Sequence, residues 1–190
     1  MTTVAIPAWT PRGFLPPVDS VQATSAERSP YQVKLLDVVT RFATSPARCK
    51  ILKGFLDYRG NLHGMGLSQG FQWLDGSFAE HVELLELRAP KDIDVVSFVH
   101  IPLNFSPSAA QLDVLDHDHA KAIYLVDSYF VELNLLPLDN LVKQSAYWYS
   151  MWSHRRNHDW KGYLHLDLSP AEDAAASAWL NTRMAGGSTP

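Results

Sequence analysis

The chain has 190 residues, 16 Lys and Arg against 20 Asp and Glu for a formal charge of −4, and one cysteine, Cys49. That length suits a single domain with an ample core, and 46% hydrophobic residues with six Trp exclude a disordered chain. A lone cysteine excludes an intramolecular disulfide or a thiolate zinc cluster; the acidic balance excludes a histone-like grip on nucleic acid, but not a local basic site.

Residues 1–30 carry Pro7, Pro11, Pro16, Pro17 and Pro30 and read as a proline-rich arm, extended and packed down through Trp9 and Phe14. No signal-peptide pattern opens the chain and no run reaches the ~18–20 apolar residues of a membrane span, so a cytoplasmic protein with no membrane partner is expected. A single domain is expected over residues 31–184. Tyr31 to Ala43 shows apolar residues at helical spacing, and Ser45-Pro46 predicts the N-cap and first residue of a second helix reaching about Leu62. A strand follows over Gly70–Asp75, then Gly76-Ser77, then a short helix over 78–88, where Val82 with Leu85 and Glu80, Glu83, Glu86 recur three apart. Asp92 to His100 is a β-branched strand stopped by Pro102. Next come a short helix over about 106–117, a polar loop at Asp116-His-Asp-His119, and the longest predicted strand, Lys121 to Leu133. Residues 138–153 read as an aromatic-rich helix and Tyr163 to Leu168 as the last strand. Ser169-Pro170-x-Glu172 reads as a capping box that opens a terminal helix to about Met184, and residues 185–190 are expected to fray. The expected class is α/β, α+β-like: a mixed sheet of about four strands, with Asp92, Asp94 and Asp127 converging on one edge and helices packed on the other face.

The stretch that carries chemistry runs from Trp73-Leu-Asp-Gly-Ser-Phe78 to Asp92-Ile-Asp94. A Gly-Ser pair between a strand and a helix offers close backbone approach, amide donors and a hydroxyl, which is what a triphosphate needs. Asp92 and Asp94 are two apart on a strand, so both carboxylates point to one face, where they repel unless a cation sits between them. Oxygen ligands of this kind suit Mg²⁺ or Mn²⁺.

These segments resemble a known superfamily. GFQWLDGSF, PKDIDVVSF, KAIYLVDSYFVEL, YWYSMWSHRR and WKGYLHLDL are similar to the polymerase-β-type nucleotidyltransferases, and more closely to a bacterial group of stand-alone nucleotidyltransferase-like proteins. The resemblance implies a minimal nucleotidyltransferase fold and transfer of a nucleoside monophosphate from an NTP to a hydroxyl acceptor. It implies that Gly76 and Ser77 hold the nucleotide phosphates, that Asp92 and Asp94 bind Mg²⁺ or Mn²⁺, and that a third carboxylate completes the site. For that third place Asp127 is favoured over Asp167 and Glu132, because an ionised carboxylate within an apolar strand is costly without a cation to use it.

Arg155, Arg156 and Lys161 are open to two readings: cations at a solvated helix end, or a phosphate clamp on the nucleotide or an acceptor RNA. The acceptor is an RNA end or a side-chain hydroxyl of a partner protein, with oligomeric state left open. The alternative is a non-catalytic interaction or regulatory module on the same fold, as in a toxin–antitoxin or defence pair.

Overall fold

The structure, a computed structural model, describes residues 3–19, 21–22 and 24–186. The runs rich in β-branched and aromatic residues pair into one mixed sheet. Its strands are β1 (Tyr31–Gln32), β2 (Gly70–Asp75), β3 (Ile93–Val99), β4 (Val126–Glu132) and β5 (Leu164–Asp167), in the order β1-β5-β2-β3-β4. The outer pairs β1–β5 and β3–β4 are parallel, and β2 is antiparallel to both its neighbours. Alternation along each strand sends neighbouring residues to opposite faces. One face carries Leu74, Ile93, Val95, Val126 and Leu164. These pack under α1 (Leu35–Phe42), α2 (Pro46–Gly64) and the terminal helix α7 (Asp173–Gly186), with α3 (Val82–Leu85), α4 (Ala109–Leu115), α5 (His117–Tyr124) and α6 (Leu138–Trp152) in between along the chain. The other face carries Trp73, Val96, Phe98 and Val131, covered by Trp148 and Trp152 of α6. A Cβ on Gly54 of α2 would stand 2.0 Å from the Tyr124 carbonyl oxygen at the end of α5, so only glycine permits that approach.

The sheet has five strands instead of about four, and helices lie on both faces instead of one. The extra strand comes from the start of the segment predicted as helix 31–43. The Tyr31 N–H donates to the Tyr163 carbonyl at 3.0 Å and the Val33 N–H to that of His165 at 2.9 Å, so the chain pairs here before it coils. Helix α1 begins only at Leu35, whose N–H donates to the Glu172 carboxylate at 2.7 Å. Glu172 therefore caps α1 across the fold, and Pro170–Glu172 form a 3₁₀ turn ahead of α7 in place of a closed capping box.

The helix predicted over 78–88 shrinks to the single turn of α3. In a helix the carbonyls of Phe78, Ala79 and Glu80 would accept from amides four residues on. Here they accept instead from Arg48 Nη1 at 2.7 Å, Trp9 Nε1 at 2.8 Å and Arg48 Nη2 at 2.6 Å. The strand predicted over Lys121–Leu133 is split. Asp116 caps α5 by accepting from the His119 N–H at 2.8 Å, the helix closes at Leu125 with φ 58°, and only Val126–Glu132 is extended. The predicted polar loop at Asp116–His119 is thus the cap and first turn of α5. At the C-terminus α7 runs on to Gly186, and residues 187–190 of the predicted frayed tail lie outside the described residues.

The arm is part of the body. Phe14 and Leu15 are buried, and the Gly162 N–H donates to the Leu15 carbonyl at 2.7 Å. Among the described residues no helix is long and apolar enough to cross a membrane.

Candidate functional site

The sheet register assembles an acidic row. Asp75 at the end of β2 pairs with Asp94 of β3, and Asp94 pairs with Asp127 of β4. All three share the face of Trp73, Val96 and Tyr129, because each lies two residues from one of them along its strand. Asp92 stands two residues before Asp94, just ahead of β3, and Gly76-Ser77 follow Asp75 directly. Gly76 has φ +77°, and a Cβ there would meet Asp94 Cγ and Oδ2 at 2.6 Å. A glycine is what lets the chain turn over the Asp94 carboxylate.

Charge is distributed unevenly along the row. Burial, then the like charges of Asp75, Asp127 and Asp92, push the Asp94 carboxyl up to about 7. Asp75 is pushed up to about 6 by burial, against the pull of Lys161. The Lys161 ammonium sits 2.8 and 2.7 Å from the two Asp75 oxygens and 3.3 Å from Glu80. Burial works against that ammonium, yet Asp75 and Glu80 outweigh it and hold its pKa above the usual lysine value. At the other end Lys121 of α5 bonds Asp127 Oδ2 and lies 3.2 Å from Asp92, and the bond to Asp127 raises its pKa. The ring of His117, one turn earlier on α5, approaches the other Asp127 oxygen.

Of the residues expected from sequence, the fold brings together Gly76, Ser77, Asp92, Asp94 and Asp127. Glu132 lies at the far end of β4, and Asp167 pairs with Phe71 at the far end of β2, so neither joins the row. The three basic residues separate. Lys161 is 5% exposed and held by Asp75 and Glu80. Arg155 bonds Glu80 at 3.0 Å and Glu86 at 2.9 Å. Arg156 is exposed. A buried, carboxylate-paired Lys161 and a twice-paired Arg155 are committed within the protein, and the clamp reading is left with Arg156. Residues that sequence reasoning missed are Asp75, Glu80, Lys121 and His117. Asp75 could have been found from the alternation Phe71, Trp73, Asp75, which puts an acid on the aromatic face. Lys121 and His117 were hidden by reading their helix as loop and strand.

The donors fit a hard divalent cation in kind. They are carboxylate oxygens, and the buried Asp127 Oδ1 has no hydrogen-bond partner. Among the described residues, no three His, Cys, Asp or Glu side chains close around one point, and the Lys121 ammonium stands between Asp92 and Asp127. Compared with known proteins, the chain belongs to a family described as a family of unknown function (DUF6932), whose model matches residues 7–167. No curated protein and no solved structure matches it.

Proposed function

We propose that this member of the family is a metal-dependent nucleotidyltransferase, moving a nucleoside monophosphate from an NTP to a hydroxyl acceptor with release of pyrophosphate. The observation that carries the reading is the in-register row of Asp75, Asp94 and Asp127 beside Gly76-Ser77. Mg²⁺ or Mn²⁺ in that row would neutralise the triphosphate and stabilise its in-line displacement. Asp92, Asp94 and Asp127 are the residues that would hold it. The tight turn at Gly76 and the Ser77 hydroxyl would orient the phosphates against the row, and Arg156 is the exposed cation left to meet an acceptor RNA or protein. Asp75 has a different part: paired with Lys161, it anchors the end of β2 and so fixes Asp94. Positioning and charge neutralisation, without a covalent intermediate, would supply the rate.

One observation favours a second reading, a non-catalytic module on this fold. Lys121 already neutralises Asp92 and Asp127 without any metal. Incubation of the purified chain with Mg²⁺, each labelled NTP and a cell lysate separates the two. The enzyme reading expects label on a macromolecule and its loss in Asp94→Asn. Equal labelling by Asp94→Asn overturns that reading, and no labelling from any NTP leaves the module.

A further inference from the structure

Three aromatic rings in consecutive contact continue from the β4 end of the acidic row. Tyr129 shares the face of Asp127 and stands two residues beyond it on β4, about 7 Å along the strand. Its ring meets that of Trp148 on α6 at 4.8 Å between centroids, and Trp148 meets Tyr147 at 5.2 Å. Trp148 is buried and so fixes the other two rings, whereas Tyr129 and Tyr147 stay 37% and 52% exposed. Among the described residues β4 is an edge strand, with no further strand beyond it. Lys143 lies one turn before Tyr147 on the same face of α6; its pairing with Asp139 is open to water and weak.

The direction of the reaction gives this aromatic shelf a part. Under the proposed function Gly76-Ser77 hold the triphosphate at the β2 end of the row, and Asp127 lies two strands away, about 10 Å. An in-line displacement puts the leaving pyrophosphate and the attacking hydroxyl on opposite sides of the α-phosphorus. The hydroxyl therefore enters at the β4 end, beside Asp127 and Tyr129. The terminal nucleotide of a strand carries its base on the same sugar as that hydroxyl, so the base arrives with it and needs a flat surface close by. A serine or threonine acceptor brings no ring to lay there.

We propose that the acceptor is the single-stranded end of a nucleic acid, with its terminal base stacked on Tyr129, the preceding base on Tyr147, and Lys143 against the backbone phosphate. This rests on the nucleotidyltransferase reading above and narrows its acceptor. The terminal hydroxyl oxygen bonds to the α-phosphorus and gives its proton to water. The bond from that phosphorus to the oxygen bridging the β-phosphorus breaks, and pyrophosphate leaves with the electron pair. Every base has a π-face, so stacking on two tyrosines binds strands with little sequence preference.

The test is the fluorescence anisotropy of a labelled strand of about eight nucleotides titrated with the full chain, RNA and DNA in separate arms, with Mg²⁺ and no NTP. Wild type is expected to bind a single strand at least about fivefold more tightly than the blunt duplex of the same sequence, whose bases are already stacked on one another. Tyr129→Leu and Tyr147→Ala are each expected to weaken that binding at least about fivefold, while Tyr129→Phe, which keeps the ring, stays within about twofold of wild type. Tyr147 is exposed on a helix, so Tyr147→Ala keeps the melting temperature and separates lost stacking from lost folding. Wild type that binds neither strand, or variants without the ring that bind as wild type does, overturn the assignment. Label from an NTP that then reaches only protein leaves the nucleotidyltransferase reading in place with a protein acceptor. No label on any macromolecule overturns that reading and the nucleic-acid acceptor together.

Discussion

Asp94 lies between Asp75 and Asp127 in the register, and its carboxyl is held near 7 by burial and by those like charges with Asp92. Its pKa therefore stands above that of the unfolded chain. The folded protein binds more protons at this group than the unfolded one, so the stability it confers is complete below about pH 4 and is lost as pH rises through 7. Asp75, pushed up to about 6, works in the same direction. His165 opposes both: burial lowers its pKa, so it removes stability as pH falls through the ordinary histidine range. The contrast between wild type and one variant isolates Asp94. Without divalent cations, the melting temperature of Asp94→Asn should fall less than that of wild type between about pH 5 and 8. Parallel curves would show that Asp94 is not held protonated by its neighbours. This residue could be singled out in the sequence because Asp-x-Asp stands in an apolar run. Asp75, its nearest partner, was read only as the end of a strand, since a one-strand view does not show which residue lies across the sheet.

Helix α2 shows how an element can position a site from behind. Arg48 and Arg59, eleven residues and about three turns apart, lie on the same helical face, and both are buried. Arg59 forks onto Asp173 at 2.8 and 2.9 Å and bonds Gln72 at 2.7 Å, tying α7 to β2. Arg48 bonds Glu83 at 2.6 and 2.9 Å and takes the Phe78 and Glu80 carbonyls, fixing the chain just after Gly76-Ser77. Removing one partner of such a buried, charge-assisted set leaves the others unsatisfied and costs about 3–5 kcal/mol. Arg48→Ala should lower the urea-unfolding free energy by that amount. Arg48→Lys should recover little, because a compact ammonium cannot fork as a guanidinium does. A loss below about 1 kcal/mol would place the loop's stability elsewhere. Local signals were enough for α2, β2, β3 and α6: a Ser-Pro cap, β-branched runs, an aromatic helix. They failed for residues 78–88, where a helical pattern of acids is overridden by Arg48 and Trp9 from distant parts of the chain. They failed again at Lys121–Tyr124, where Asp116 supplies a cap that alternation alone does not reveal.

On the scale of the whole molecule, the site is made by contacts that no single segment contains. The acidic row needs three strands in register, and the turn after β2 is held from one side by α2 and from the other by the N-terminal arm. Proline content marked that arm as extended but left its route open. In the fold it wraps the domain. The Val4 N–H donates to the Gln32 carbonyl at 2.8 Å beside β1, and the Trp9 ring stacks on His81 at 4.5 Å under the Arg41 guanidinium at 4.2 Å. The His81 N–H donates to the Gly13 carbonyl at 2.7 Å, and Phe14 and Leu15 enter the core at 4% and 1% exposure. The family match beginning at residue 7 agrees with an arm that belongs to the domain. Burial of a Phe and a Leu contributes about 1.5–3 kcal/mol each, and each lost hydrogen bond about 1 kcal/mol. Against a typical total of about 5–15 kcal/mol, deleting residues 1–15 should bring the chain close to its unfolding threshold. The loss should be uneven. Amide exchange should accelerate first at His81, whose partner Gly13 is gone, and at Gly162, which loses Leu15, while the centre of β3 exchanges only with global unfolding. A truncated chain that keeps its melting temperature within about 2 °C, with His81 still protected, would make the arm an appendage. The turn beside Asp94 would then be held by Arg48 together with the bonds of Arg155 and Lys161 to Glu80.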